Sequence, residues 1–285
     1  MSSDRLLSLW QYPIPQHLIS RLMGLVGNSE NPAIRDPFMK WFAHRYGVNM
    51  AEAANPDLAS YRTFNEFFTR PLKAGARPVD ADPRSIVSPA DGAVSELGPI
   101  TDDAILQAKG FSYSAQTLLG GDEKHGRLFR DGHFITVYLS PKDYHRVHLP
   151  LAGTLRETIY VPGRLFSVNT RTANGVPGLF ARNERVVCLF ETAAGPMAVV
   201  LVGAIIVAGI ATVWQGVVTP PHRRLEVTSF AGNPPVTMQK GDEIGRFLVG
   251  STAIVLLPKG VARWREDLRA GSPLRMGERI GLLGA

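Results

Sequence analysis

Three consecutive residues near the end of the chain carry groups that could react with their own backbone. Gly250, Ser251 and Thr252 lie in an apolar stretch, and 35 residues run from Ser251 to the C-terminus. A serine hydroxyl can attack the carbonyl carbon just before it, and glycine leaves that carbonyl unshielded and its backbone free to strain. Self-cleavage between Gly250 and Ser251 is therefore chemically open. Taken alone, the tripeptide favours a plainer interpretation, a turn into a strand over residues 254–257.

Two further segments carry groups that can act as acids or bases. Residues 88–92 read Ser-Pro-Ala-Asp-Gly, a turn sequence that contains Asp91. Residues 138–148 contain His145 and His148. A short helical turn would bring the two histidines to one face, whereas an extended segment would point them to opposite faces. No cysteine or further histidine cluster supplies a third metal ligand, so we expect no metal site.

An aspartate, a histidine and a serine are together the groups of an oriented base and an activated hydroxyl. Serine hydrolases often carry the nucleophile in Gly-x-Ser-x-Gly at the turn from a strand to a helix. Residues 249–253 read Val-Gly-Ser-Thr-Ala instead, with no glycine after the serine. This departure counts against an α/β-hydrolase and leaves room for self-cleavage.

The elements that must position these groups begin with a helical region over residues 1–80. Its apolar side chains recur at helical spacing in the set Leu18, Ile19, Leu22, Met23, Leu25 and Val26. Two interpretations stay open for this face. It packs on a protein core, or it lies in a membrane interface where basic side chains meet anionic head groups. Those basic side chains are Arg21, Arg35, Lys40 and Arg45.

Residues 81–285 have the pattern of a β-rich domain, because short apolar runs alternate with turn residues. The runs cover residues 93–94, 134–138, 155–160, 186–190, 198–202 and 254–257. We therefore predict an α+β fold, with a β-rich catalytic core of antiparallel sheets behind the N-terminal helical region. The uncharged residues 197–214 are barely long enough to span a membrane, and their β-branched content favours two buried strands joined at a glycine.

The composition indicates the cellular compartment and the kinds of binding partner. The 285 residues are 45% hydrophobic, which is enough for a sizeable core. The net charge of +6 fits an anionic partner such as a membrane surface. Nucleic-acid binding is disfavoured because the basic residues are scattered and not interleaved with aromatic ones. The single cysteine, Cys188, lies in an apolar run, which predicts a buried strand residue and fits a reducing compartment. The N-terminal residues lack the pattern of a signal peptide.

A set of modest motifs follows in one order along nearly the whole chain. They are residues 64–73 (FNEFFTRPLK), 88–92, 109–110, 113–114, 118–119, 138–148, 165–169 (LFSVN), 180–185 (FARNER), 212–214 (TVW) and 245–252 (GRFLVGST). In this order they resemble the bacterial phosphatidylserine decarboxylases, which are pyruvoyl-dependent enzymes made as self-cleaving proenzymes. The family's usual Leu-Gly-Ser-Thr reads Val-Gly-Ser-Thr here, and we expect little effect on the cut because the changed residue remains apolar.

The resemblance implies that Asp91, His148 and Ser251 form the self-processing triad. The cut between Gly250 and Ser251 would give a β chain of residues 1–250 and an α chain of residues 251–285. Ser251 would become a pyruvoyl group that forms a Schiff base with phosphatidylserine and yields phosphatidylethanolamine and CO2. His145 would assist this decarboxylation.

The resemblance also implies a homodimer of αβ units and a peripheral position on the cytoplasmic face of the cell membrane. Because the substrate is a bilayer lipid, it favours the membrane interpretation of the N-terminal helices.

Two other classes of function stay open at the level of sequence. A membrane-bound serine hydrolase acting on lipid esters predicts one intact polypeptide and a serine that reacts with fluorophosphonates. A non-enzymatic lipid-binding module predicts that Ser251→Ala changes no activity.

Overall fold

The structure, a computed structural model, describes Asp4 and residues 8–108, 110–205, 209–219, 224–232, 234–248 and 251–284. Ser251 is therefore described. Gly250, on the other side of the predicted cut, lies outside the described residues.

The N-terminal part is helical, as its periodicity predicts. Its helices are a 3-10 helix Leu9–Gln11, α1 (Gln16–Gly27), α2 (Pro32–Tyr46), 3-10 helices Met50–Glu52 and Leu58–Ser60, and α3 (Phe64–Phe68). Helix α2 begins where the Asn31 side chain accepts the Ala33 N–H and ends at Gly47, whose positive φ of 66° suits glycine. Helices α2 and α3 share a small core made of Met39, Phe42, Tyr61, Phe64, Phe67 and Phe68.

Helix α1 turns much of its apolar face away from the protein. Its buried residues are Gln16, Ser20 and Gly27. Leu18, Leu22 and Leu25 are 56%, 54% and 72% exposed. Periodicity thus identified the apolar face correctly, but these leucines do not pack on a protein core. Exposed apolar surface of this kind marks an interaction site.

The rest of the described chain is rich in strands. They are β1 (Ser85–Val87), β2 (Gly92–Pro99), β3 (Ala104–Ala108), β4 (Phe111–Ser114), β5 (His133–Leu139), β6 (Arg146–His148), β7 (Gly153–Val161), β8 (Arg185–Thr192), β9 (Gly195–Gly203), β10 (Ile210–Thr212), β11 (Gly216–Val217), β12 (Glu226–Ser229), β13 (Thr237–Met238), β14 (Glu243–Phe247), β15 (Ser251–Leu257), β16 (Ala262–Trp264), β17 (Pro273–Leu274) and β18 (Arg279–Leu283). Short helices connect some of them: α4 (Ala115–Leu118), α5 (Glu123–Leu128), α6 (Thr170–Ala173) and α7 (Leu179–Arg182). Every predicted apolar run lies within one of these strands, which confirms the α+β fold with antiparallel sheets.

One large antiparallel sheet organises the molecule. Among the described residues its order is β12-β7-β8-β9-β15-β5-β2-β17, and β13 also pairs with β7. The smaller sheets have the orders β11-β10-β14-β6 and β1-β18-β16, and β3 pairs with β4.

The large sheet is buried on both faces. In β15, Ala253 and Val255 belong to one hydrophobic core, and Ile254 and Leu256 belong to a second. Strands covered on both sides read as continuous apolar runs, which is the pattern the sequence shows. Cys188 is fully buried in β8, as predicted.

Within the uncharged stretch 197–214, the described residues 197–205 and 209–214 contribute to strands β9 and β10 and not to a helix. Across the described ranges, no helix has the length and apolar character needed to cross a bilayer.

Candidate active site

Ser251 opens the central strand β15. It lies between Leu139 of β5 and Gly203 of β9, at the ends of both strands. The residue is 1% exposed, and its Oγ has no hydrogen-bond partner among the described residues. Leaving a hydroxyl buried and unpaired costs about 1–3 kcal/mol, so the position calls for a functional explanation.

A cavity of about 330 Å³ lies beside Ser251 and is lined mainly by apolar side chains. Its walls comprise Met23, Phe38, Trp41, Phe42, Tyr46, Phe64, Phe68, Tyr138, Leu139, Pro141, Ser167, Val168, Asn169, Ala204 and Ile205. The helices of the N-terminal region therefore form one wall of the cavity that contains Ser251. The size and the apolar lining suit part of a lipid-like ligand.

The wall made by residues 167–169 is held by buried side-chain amides from far along the chain. Gln11 accepts the Ser167 N–H at 2.8 Å, and Gln16 accepts the Leu165 N–H at 2.9 Å. The N-terminal region thus also fixes the backbone next to a second part of the cavity wall.

Asn183 ties the same wall to the central sheet. Its Oδ1 accepts the Phe166 N–H at 3.1 Å, and its Nδ2 donates to the carbonyls of Phe166 and Gly203 at 2.8 Å each. Because Gly203 pairs with Ser251, Asn183 links the cavity wall to the strand that adjoins the serine.

His145 is fully buried beneath an aromatic ring. The centroids of the His145 and Phe68 rings are 4.0 Å apart. Its Nδ1 lies 2.8 Å from the Asp143 carbonyl, so Nδ1 donates and Nε2 keeps the lone pair. Nε2 has no hydrogen-bond partner among the described residues.

The charge state of His145 follows from this burial. Desolvation lowers the pKa of His145 to about 3, and the positive charge of Arg70 acts in the same direction. The imidazole is therefore neutral at neutral pH and can accept a proton at Nε2.

His148 lies in a strand, so the extended alternative describes the two histidines and the helical turn is wrong. Its Nδ1 donates to the Gly241 carbonyl at 2.8 Å, and Tyr144 Oη lies 3.2 Å from its Nε2. Burial lowers the pKa of His148, while the Gly241 carbonyl and the charge of Glu243 oppose that shift. Burial raises the pKa of Tyr144 to about 12, so its hydroxyl stays protonated and donates to Nε2.

Asp91 lies next to His148 through the backbone of its turn. The His148 N–H donates to the Pro89 carbonyl at 2.7 Å. Gly92 closes the turn with φ of 153°, and a Cβ there would meet the Tyr138 carbonyl oxygen at 2.2 Å. Only glycine fits this position.

The Asp91 carboxylate itself binds Arg77 and not His148. Arg77 donates from Nε to Oδ1 at 2.8 Å and from Nη2 to Oδ2 at 2.5 Å. The Met276 N–H donates to Oδ1 at 2.9 Å, and Arg77 Nη2 also reaches Glu52 Oε2 at 2.7 Å.

Sequence reasoning missed Arg77, Glu52, Tyr144 and Gly241. Tyr144 directly precedes His145 in the motif of residues 138–148, so its position was the one available signal. Glu52 and Arg77 are 25 residues apart and carry no motif of their own. In the part of the chain that is described, no group of three His, Cys, Asp or Glu residues could hold a metal ion.

Comparison with known proteins gives relatives over nearly the full length. A family profile described as phosphatidylserine decarboxylase matches residues 64–282, and a second, described as PSD, matches residues 6–47. The phosphatidylserine decarboxylase proenzyme of Pseudomonas putida strain GB-1 is 59% identical over 277 residues, 96% of each chain. The proenzyme of the same name from Pseudomonas entomophila is 59% identical over 98% of each chain, and that from Marinobacter nauticus is 53% identical over 98% of each.

Proposed function

The chain belongs to the phosphatidylserine decarboxylase family, and we propose that it removes the carboxylate of phosphatidylserine as CO2 to leave phosphatidylethanolamine. We propose further that it makes the required pyruvoyl group from Ser251. The observation that carries this proposal is the buried Ser251 hydroxyl, which has no hydrogen-bond partner in the described part of the chain and lies beside an apolar cavity.

The surroundings of residue 251 fit a pyruvoyl group. Ser251 is the first residue of a strand that is paired on both sides, so an α chain that begins there keeps its place in the sheet. The pyruvoyl carbonyl supplies the electron-withdrawing centre that accepts the electrons of the departing carboxylate.

His148 is the base proposed for self-cleavage, since a neutral imidazole can take the proton of the Ser251 hydroxyl. Tyr144 donates to its Nε2 in this structure, so Tyr144 has to release that lone pair before the proton transfers. The Ser251 oxygen attacks the carbonyl carbon of Gly250, the amide C–N bond breaks, and the proton passes to the freed amine. A base then takes the α-proton of residue 251, the Cβ–Oγ bond of that residue breaks, and Oγ leaves as part of the Gly250 carboxylate. The resulting dehydroalanine takes up water and loses ammonia.

Asp91 supports this base electrostatically. Its negative charge raises the pKa of His148, which favours the imidazolium that forms when His148 takes a proton. The Gly241 carbonyl fixes the tautomer in which Nε2 carries the lone pair.

His145 is proposed to carry a proton during decarboxylation. A neutral Nε2 can take a proton from the substrate ammonium and return it to the substrate carbon after CO2 leaves. The low pKa makes the protonated imidazole a strong donor for the second step, whereas it makes the neutral imidazole a weak base for the first.

The N-terminal region is proposed to dock on an anionic membrane surface from the cytoplasmic face. The exposed leucines of α1 would enter the interface, and the net charge of +6 would favour anionic lipids. Since α2 and α3 also wall the cavity, an acyl chain could pass from the bilayer towards residue 251. Two predictions from the sequence remain proposals. They are the division into residues 1–80 and 81–285 and the homodimer of αβ units.

Denaturing mass spectrometry of the purified protein tests the proposal. We expect two chains, with a cut after Gly250 and an α chain whose first residue is no longer serine. Ser251→Ala should remain a single chain and release no CO2 from phosphatidylserine vesicles. Ser272→Ala, which changes the other serine of residues 251–285, should be cut like the parent chain. An uncut chain with full decarboxylase activity would refute self-processing, and an uncut chain whose Ser251 reacts with a fluorophosphonate would favour the lipid hydrolase.

A further inference from the structure

We infer that Arg77 and Glu52 are positioning residues for self-cleavage, which hold the Asp91 carboxylate in the place from which it acts on His148. The inference rests on the proposed function, because it adds two residues to the same processing site. It concerns how Asp91 is held and leaves the identity of the base unchanged.

Most of the hydrogen bonds that hold the Asp91 carboxylate in place come from Arg77. Nε of Arg77 reaches Oδ1 at 2.8 Å and Oδ2 at 3.0 Å, and Nη2 reaches Oδ2 at 2.5 Å. This forked contact fixes both the position and the rotation of the carboxylate, which a lysine ammonium cannot do. The Met276 N–H at 2.9 Å completes the set.

Burial strengthens the electrostatic attraction between Arg77 and Asp91. The side chains of Arg77 and Asp91 are 8% and 9% exposed, whereas Glu52 is 28% exposed. Water and salt therefore screen the Arg77–Asp91 pair poorly. The hydrogen bonds that Arg77 donates to Asp91 raise the pKa of Arg77, and the hydrogen bond that Arg77 donates to Glu52 lowers the pKa of Glu52.

The sharing of one cation between two carboxylates has an electrostatic consequence. Glu52, Arg77 and Asp91 together carry a net charge of −1, so Arg77 does not cancel the charge that Asp91 presents to His148. Removing Glu52 would leave a neutral pair and weaken support for the His148 imidazolium. Removing Arg77 would leave two carboxylates without their shared cation, and Asp91 would keep the Met276 N–H but lose the forked contact.

The same contacts join three separate parts of the chain at Asp91. Glu52 belongs to the 3-10 helix Met50–Glu52 of the N-terminal region. Met276 lies in the segment that becomes the α chain after the proposed cut. The position of Asp91 thus depends on the N-terminal region being folded against the β-rich part before cleavage.

Time courses of self-cleavage, followed by denaturing gel after cell-free synthesis, test the inference. We expect Arg77→Gln to slow cleavage at least tenfold, Arg77→Lys to fall between that rate and the parent rate, and Glu52→Gln to slow it several-fold. The control is Arg62→Gln, which breaks the Arg62–Glu66 ion pair elsewhere in the N-terminal region and should cleave at the parent rate. Each substitution is also placed in the Ser251→Ala chain, where thermal unfolding reports folding without cleavage.

The outcomes separate this inference from the proposed function. A parent chain that never cleaves, or an Asp91→Asn chain that cleaves normally, removes the proposed processing site. If Asp91→Asn blocks cleavage but Arg77→Gln and Glu52→Gln cleave at the parent rate, only the positioning role fails. If Arg77→Gln does not fold, Glu52→Gln decides, and a parent cleavage rate there refutes the inference. An Arg77→Lys chain that cleaves at the parent rate would also count against it, because lysine keeps the charge but cannot make the forked contact.

Discussion

Acidification should destabilise the protein through His145. Burial holds its pKa at about 3, against an ordinary value of 6.5. A proton therefore binds the unfolded chain much more tightly than the folded one. The stability that this group contributes is complete above pH 6.5 and is lost as the pH falls towards 3.

The loss of stability depends on how much of the range between the two pKa values of His145 the change in pH covers. Between pH 7 and pH 5, about one and a half pH units lie below the ordinary pKa of 6.5, and each of them costs ~1.4 kcal/mol. His145 should therefore lower the free energy of unfolding by about 2 kcal/mol over this interval. Other buried groups, His148 among them, add their own losses, so the contribution of His145 has to be isolated by difference.

Equilibrium urea unfolding at pH 7 and pH 5 provides that difference. Both measurements use the Ser251→Ala chain, which stays in one piece, with and without His145→Asn. The substitution lowers stability at both pH values, but the loss between them should shrink by about 2 kcal/mol. His44→Asn, at an exposed position on α2, serves as the control and should leave the loss unchanged. Identical losses with and without His145 would refute the argument that the imidazole is buried in its neutral form.

Three further substitutions test other parts of the structure. Leu22→Ser with Leu25→Ser should weaken binding to anionic vesicles at least tenfold in co-sedimentation, because both side chains are exposed, whereas Leu106→Ser on β3 should not. Asn183→Leu should cost about 3 kcal/mol or more in urea unfolding, since it leaves three buried backbone groups without partners, and a loss below 1 kcal/mol would contradict this. Gly92→Ala should give insoluble or uncleaved chain, because a Cβ would lie 2.2 Å from a backbone carbonyl oxygen, and normal yield and cleavage would refute the clash.

The strands could be predicted because each apolar run is a local property of the chain. Residues 186–190, 198–202 and 254–257 all form central strands of the large sheet. Their neighbours along the chain are sufficient to favour extended backbone, and burial on both faces requires apolar side chains at every position. Gly92, directly after Asp91, likewise allowed the turn to be predicted, since its backbone conformation suits no other residue.

The outward face of α1 could not be predicted from the same kind of pattern. A period of 3.6 residues places Leu18, Leu22 and Leu25 together, but it does not say what covers them. The structure buries Gln16 and Ser20 instead, because Gln16 bonds the backbone near residue 165, far along the chain.

What the sequence by itself determined was the set of reactive groups, the strand over residues 254–257 and the family to which the ordered motifs belong. The tertiary structure decided which groups meet. In it, Asp91 accepts hydrogen bonds from Arg77, and His148 donates to the Gly241 carbonyl. The ring of Phe68 packs on the ring of His145. Backbone preference depends on a few adjacent residues, whereas these contacts arise only when segments distant in sequence pack together and exclude water.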